Sequence, residues 1–85
     1  MKYDTTEKRM KFLKKKGNII TFKKPFYPHG TLNESRSQII VNRLQKTKAG
    51  SVKIIGNYYD TNWYNSIDAL LESIDWQWME AVHGD

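Results

Sequence analysis

The sequence predicts a small α+β domain: a basic N-terminal helix, a two- or three-stranded antiparallel sheet, and an amphipathic C-terminal helix packed on the sheet. Three observations carry this reading. The chain has 85 residues, enough for one small core, so residues 1–85 are read as a single domain. Helical periodicity marks both ends, whereas residues 18–24 and 51–59 are rich in β-branched and aromatic side chains. Charge is split between the halves. All 14 Lys and Arg lie within residues 2–53 and face only Asp4, Glu7 and Glu34, a net of +11, while residues 54–85 carry six acids and no base, a net of −6.

The elements follow in order. Asp4, Thr5 or Thr6 caps a helix that starts near residue 5, with Glu7 in its first turn, Lys14, Lys15 and Lys16 in its last, and Gly17 ending it. Its apolar stripe is Tyr3, Thr6, Met10 and Leu13; Lys8, Lys11 and Lys15 project from the far side, and Phe12 sits beside that basic face. Residues 18–24 read as a strand stopped by Pro25, and residues 25–30 as a loop whose two aromatics cover a core edge. Thr31 and Glu34 have capping-box spacing and predict a helix from there to about Lys48, broken by Ala49-Gly50. The apolar residues of that segment, Leu32, Ile39, Ile40, Val41 and Leu44, spread over more than half the helical wheel. The rival reading is a strand over 38–45 paired with 51–59 through a turn at residues 48–51. Residues 51–59 read as a strand. Ile67, Leu70, Leu71, Ile74, Trp78, Ala81 and Val82 then recur at helical spacing behind an Asn65-Ser66 cap and before Gly84, which predicts an amphipathic helix; unbroken, it puts Trp76 almost opposite Ile67, whereas a break near Asp75, which can itself cap a new turn, or folding back over Tyr58, Tyr59, Trp63 and Tyr64 covers that ring.

Several function classes are excluded at this stage. There is no cysteine, hence no disulfide, thiolate metal site, iron–sulfur ligation or thiol nucleophile. No uninterrupted apolar run exceeds three residues, against roughly 20 for a membrane helix, so no membrane partner is expected. The first 16 residues are charged and lack the apolar stretch of a secretory signal, which points to the cytoplasm. His29 and His83 are the two imidazoles, with no nucleophile or carboxylate in register with either. The expectation is therefore a non-enzyme with no catalytic residue, no cofactor and no small-molecule substrate. Glu80 and His83 have the spacing of two metal ligands on a helix, but the second such motif of a di-metal site is missing, and no metal is expected.

Two binding modes remain. Lys8, Arg9, Lys11, Lys14, Lys15 and Lys16, continued by Lys23 and Lys24, suit phosphate contacts whose counterion release drives nucleic-acid binding, to DNA or RNA. Phe12, Phe26 and Tyr27 are available to stack on unpaired bases, and Arg9, Arg36 and Arg43 to read guanine edges. The rival mode uses the acidic half. On an unbroken C-terminal helix, Trp76 and Met79 project from the core among Asp68, Glu72, Asp75 and Glu80, as an anchor for a basic, nucleic-acid-handling protein. In size, lack of cysteine and richness in Lys, Asn and Tyr, the chain resembles the small proteins of phages and mobile elements in AT-rich bacteria. That group includes inhibitors of host nucleases such as anti-CRISPR proteins. The resemblance is one of composition and implies an inhibitor as the alternative to a nucleic-acid-binding protein.

Overall fold

The structure, a computed structural model, describes residues 3–28 and 34–83. His29, the capping-box Thr31, Leu32 and the helix-ending Gly84 lie outside the described residues, as does the side chain of His83. Helix α1 (Thr6–Lys14) is capped by Thr5, whose hydroxyl accepts the Lys8 N–H at 3.2 Å. Gly17, at φ 94°, turns the chain directly into the sheet, and its N–H donates to the Val41 carbonyl at 2.8 Å. Three antiparallel strands follow in the order β1 (Ile19–Phe26), β2 (Arg36–Lys46) and β3 (Val52–Gly56). Ile19 stands opposite Ile40 and Thr21 opposite Gln38, before an irregular stretch that ends with Phe26 opposite Arg36. On the other side of β2, Leu44 stands opposite Ile54 and Lys46 opposite Val52.

The helix expected from residue 31 to Lys48 is thus replaced by the central strand, and the rival pairing of residues 38–45 with 51–59 is the one adopted. Two neighbouring strands satisfy the backbone of β2 on both sides, which outweighs the local capping signal. Its alternation also divides the isoleucines: Ile39 and Val41 face the helices and are buried, while Ile40 turns to the other face. The β2–β3 turn closes where Gly50, at φ 96°, donates to the Thr47 carbonyl and the Ser51 N–H donates to the Thr47 hydroxyl.

The C-terminal segment takes the reading with a break near Asp75. It is two helices, α2 (Ile67–Ser73) and α3 (Trp76–His83), separated by Ile74 and Asp75. Ile74 is extended and forms a β-bridge with Phe22, and the Asp75 N–H donates to the Thr21 carbonyl at 2.8 Å. Asp75 then caps α3, its Oδ1 accepting the Trp78 N–H at 3.0 Å. Two non-helical residues reset the helical phase. Trp76 and Met79, expected to project outward, are core at 6% and 0% exposure, while Trp78 and Val82, expected in the stripe, are 40% and 53% exposed. The Trp76 indole N–H donates to the Leu71 carbonyl at 2.9 Å, so the buried ring leaves no unpaired donor.

All three helices contribute to one core, in which Leu13, Ile20, Ile39, Val41, Val52, Ile54, Leu70, Ile74, Trp76 and Met79 are buried. The outer edge of β3 is covered as well. Val52 and Tyr64 exchange backbone hydrogen bonds of 2.8 and 2.9 Å, and the fully buried Thr61 hydroxyl accepts the Ile54 N–H at 3.0 Å. Burial raises the Tyr64 phenol above the usual tyrosine range, against a smaller opposite effect of its hydrogen bond with Ser73.

Trp76→Ala should destabilise the fold by about 3–5 kcal/mol in denaturant unfolding, and Trp78→Ala by about 1 kcal/mol or less. The reverse order would mean that the helix runs unbroken through Asp75. Asp75→Ala, which removes the cap of α3, should lower stability by about 1 kcal/mol with the slope of the denaturant transition unchanged.

Candidate nucleic-acid interface

α1 faces two ways. Leu13 is fully buried and Met10 packs against the core, while Lys8, Lys11 and Lys15 are exposed on the opposite side. Phe12 lies between the two regimes. Its ring meets Tyr3 edge-on at 4.9 Å and Trp76 at 6.4 Å, and it remains half-buried. Asn18 ties the helix end to the start of β1, its Nδ2 donating to the Phe12 carbonyl at 2.9 Å. The result is an open groove of about 500 Å³ lined by Tyr3, Lys8, Lys11, Phe12, Lys15 and Asn18. Its floor is aromatic and its rim carries three ammonium groups.

Among the described residues, Lys8 is the one rim lysine with an acidic partner, Asp4 Oδ1 at 3.3 Å. The hydrogen bond and charge of Lys8 hold the Asp4 carboxyl below the usual aspartate range. Both groups are exposed, so the pair is readily exchanged for another anion. No acidic side chain of the described residues forms an ion pair with Lys11, Lys14, Lys15 or Lys16.

Not all the basic residues singled out from the sequence gather here. Arg9 turns to the opposite flank of α1, where its Nε donates to the Tyr3 carbonyl at 2.7 Å and its guanidinium lies 5.2 Å from the Trp76 ring centre. Lys23 joins Arg9 in a second cleft, and both Lys23 and Lys24 line a smaller one with Phe26, Tyr64 and Glu72. Phe26, expected to be available for stacking, is core, while Tyr27 is half-exposed. Arg36 is engaged by Glu34 at 2.9 Å and lies 5.6 Å from the Tyr59 ring, and Arg43 stands opposite Ile55 on the helix-free face of the sheet. Lys14 and Lys16 are exposed at the end of α1.

The acidic half behaves differently from expectation. Asp68, Glu72 and Asp75 line the second cleft, of about 660 Å³, together with Arg9, Lys23 and the edge of Trp76. They share that cleft with bases and do not form a separate acidic face. Glu80 is half-buried on α3. Trp76 and Met79, the anchor expected among these acids, are core residues.

Two groove residues escaped the sequence reading. Tyr3 belongs to the stripe by periodicity, and its pairing with Phe12 depends on how residues 3–5 enter the helix. Asn18 carries no signal beyond its position before a strand. Among the described residues, no group of three or more His, Asp or Glu side chains is placed to hold a metal ion, and no helix is long and apolar enough to cross a membrane. No protein-family model, curated protein or solved structure matches the chain.

The Asp4–Lys8 pair has a testable pH dependence. Its carboxyl pKa is lower in the folded chain than in the unfolded one, so the pair's contribution is complete above the ordinary aspartate pKa of about 4 and fades as the pH falls through the lowered folded value. NMR titration should place the Asp4 midpoint below that ordinary value, and Lys8→Ala should raise it. An unchanged midpoint would remove the pair from the groove's description.

Proposed function

We propose that the protein is a cytoplasmic, non-enzymatic nucleic-acid-binding protein that contacts phosphates through the exposed side of α1. The observation that carries this reading is the row Lys8, Lys11 and Lys15 beside an aromatic floor, in which two of the three ammonium groups have no ion-pair partner among the described residues. Unpaired ammonium groups at fixed spacing recruit phosphates and release their condensed counterions, a sequence-independent source of affinity. Lys14 and Lys16 extend the row at the helix end, and no acidic side chain of the described residues forms an ion pair with them.

The competing reading, an inhibitor of a nucleic-acid enzyme docking through the acidic C-terminal helix, needed Trp76 and Met79 at the surface. Both are core. Without them the acids supply at most long-range steering, which changes on-rates more than affinity.

Lys8→Glu, Lys11→Glu and Lys15→Glu combined should sharply weaken binding to nucleic acid in a fluorescence anisotropy assay while leaving the melting temperature close to the parent's, since none of the three is buried. Neutralising Lys11 or Lys15 singly should reduce the slope of log affinity against log salt by about 0.7–0.9. No measurable affinity of the parent protein for duplex DNA, single-stranded DNA or RNA at about 50 mM salt would refute the proposal.

A further inference from the structure

We infer that the helix-free face of the sheet holds an unpaired stretch of the nucleic acid, with one base stacked on the Tyr58 ring and a phosphate on Arg43. This rests on the nucleic-acid reading above and narrows it to a ligand that has exposed bases and can bend around the domain. The helices and the core lie on the other face of the sheet, so Ile19, Ile40 and Ile55 have no helix above them. Ile19 is 40% exposed, and Tyr58 beside it is 83% exposed, the most open of the large apolar side chains among the described residues. The Tyr58 side chain meets no other ring and no cation there and makes no hydrogen bond, and at that exposure both ring faces are largely open. The backbone beneath it is nevertheless fixed. The Asn57 N–H donates to the Ile40 carbonyl at 3.1 Å, the Gly56 N–H to the Tyr59 carbonyl at 3.0 Å, and the Tyr59 hydroxyl to the Gln38 carbonyl at 2.6 Å. Two side-chain torsions are then all that a base must order when it stacks on Tyr58.

Size, charge and position select the occupant. The hollow at the foot of the ring, lined by Ile19, Gln38, Ile40 and Tyr59, holds about 180 Å³, below the roughly 300 Å³ at which enclosed small-molecule pockets begin. A second copy of the chain is poorly served by this face. With strands about 4.8 Å apart the sheet is about 10 Å wide, and the eleven residues of β2 give it about 36 Å of length, so it offers about 350 Å² in plan against about 800 Å² per side of a stable interface. Its charge suits a polyanion, because Arg43 is exposed without an ion pair among the described residues while Lys53 and Asp60 neutralise each other. The face is also continuous with the phosphate-binding side of α1. Asn18 lines the α1 groove and the next residue, Ile19, lines this hollow, so the two linings meet at Cα atoms about 3.8 Å apart. A strand lying on Lys15 reaches Tyr58 by turning that corner. A duplex, stiff over about 150 base pairs and with each base covered by its neighbours, neither turns it nor offers a base face; an unpaired strand does both.

Either single-stranded RNA or single-stranded DNA supplies this chemistry, and the experiment separates them. Fluorescence anisotropy with the full chain at about 50 mM salt compares oligo-dT, oligo-rU and a duplex of equal length. The parent should bind one or both single strands at least about tenfold more tightly than the duplex. Tyr58→Ala should erase most of that preference, change duplex binding by less than about twofold and leave the melting temperature close to the parent's, since the ring lies outside the core. Tyr58→Phe should retain the preference. Arg43→Gln should reduce the salt slope for single strands by about 0.7 and leave the duplex slope unchanged. A preference for rU or for dT identifies RNA or DNA as the strand recognised. Equal affinity of the parent for duplex and single strands, or an equal effect of Tyr58→Ala on both, would overturn the inference and leave the phosphate-binding proposal standing. Absence of binding to all three probes would overturn that proposal itself. A parent that sediments as a dimer, made monomeric by Tyr58→Ala, would assign the face to a second copy and overturn the inference as well.

Discussion

The hydrogen bond from the Asp75 N–H to the Thr21 carbonyl, with the Ile74–Phe22 bridge beside it, is the constraint on which the rest of the architecture depends. It is made by an extended backbone, so the C-terminal segment cannot be helical through it. That interruption turns Trp76 inward, and the inward indole does three things. It caps the end of α2 through the Leu71 carbonyl, it receives the Arg9 guanidinium on its ring, and it meets Tyr3 at 5.9 Å and Phe12 at 6.4 Å. Each aromatic pair adds about 0.5–1.5 kcal/mol beyond its burial, whereas an exposed ion pair such as Lys8–Asp4 is screened by solvent and adds little. The position of α1 is therefore set by rings and not by its charges. The charges are left for other work.

What could be read from the sequence, and what could not, divides along the same line. α1 and β1 were legible because their signals are local: the Thr5 hydroxyl cap, Glu7 early and lysines late, Gly17 at a positive φ, and a β-branched run. The turn at residues 48–51 was legible for the same reason, Gly50 being suited to its left-handed conformation. β2 was not, because its strand character comes from partners on both sides, and a central strand with apolar residues on both faces has no clean period of two. The break at Asp75 stayed one reading among others because the helical pattern runs on past it, from Ile74 to Trp78, Ala81 and Val82. The one local hint was an aspartate placed to cap a new turn, and nothing near it in sequence reveals that Thr21 stands ready to accept its N–H. The basic side of the groove followed from the lysine spacing, but its floor did not, since the meeting of Tyr3 with Phe12 depends on how residues 3–5 enter the helix and that of both with Trp76 on the folded core.

The opposed charges of the two halves meet less than their sequence positions suggest. Lys53 and Asp60, 3.2 Å apart and both largely shielded, form the ion pair that joins them among the described residues, and Lys53 also covers the Trp63 ring. Asp68, Glu72 and Asp75 share a cleft with Arg9 and Lys23 without forming an ion pair within 4.0 Å. Folding thus neutralises little of the N-terminal charge. A field from α1 persists at the surface, where its reach is set by salt, about 8 Å under physiological conditions.

The coverage of the sheet edges governs how one copy of this chain can meet another. Residues 60–64 lie along β3, and Ile74 and Asp75 lie along the first half of β1. The remaining stretch of β1 carries Lys23, Lys24 and Pro25, two charges and a residue with no N–H to offer. A three-stranded sheet left bare at its rims is a template for adding strands from its neighbours, and so for fibrillar growth in a crowded cell. Among the described residues neither rim offers a continuous ladder, so a strand from a neighbouring copy meets no unbroken row of free backbone groups along which to add.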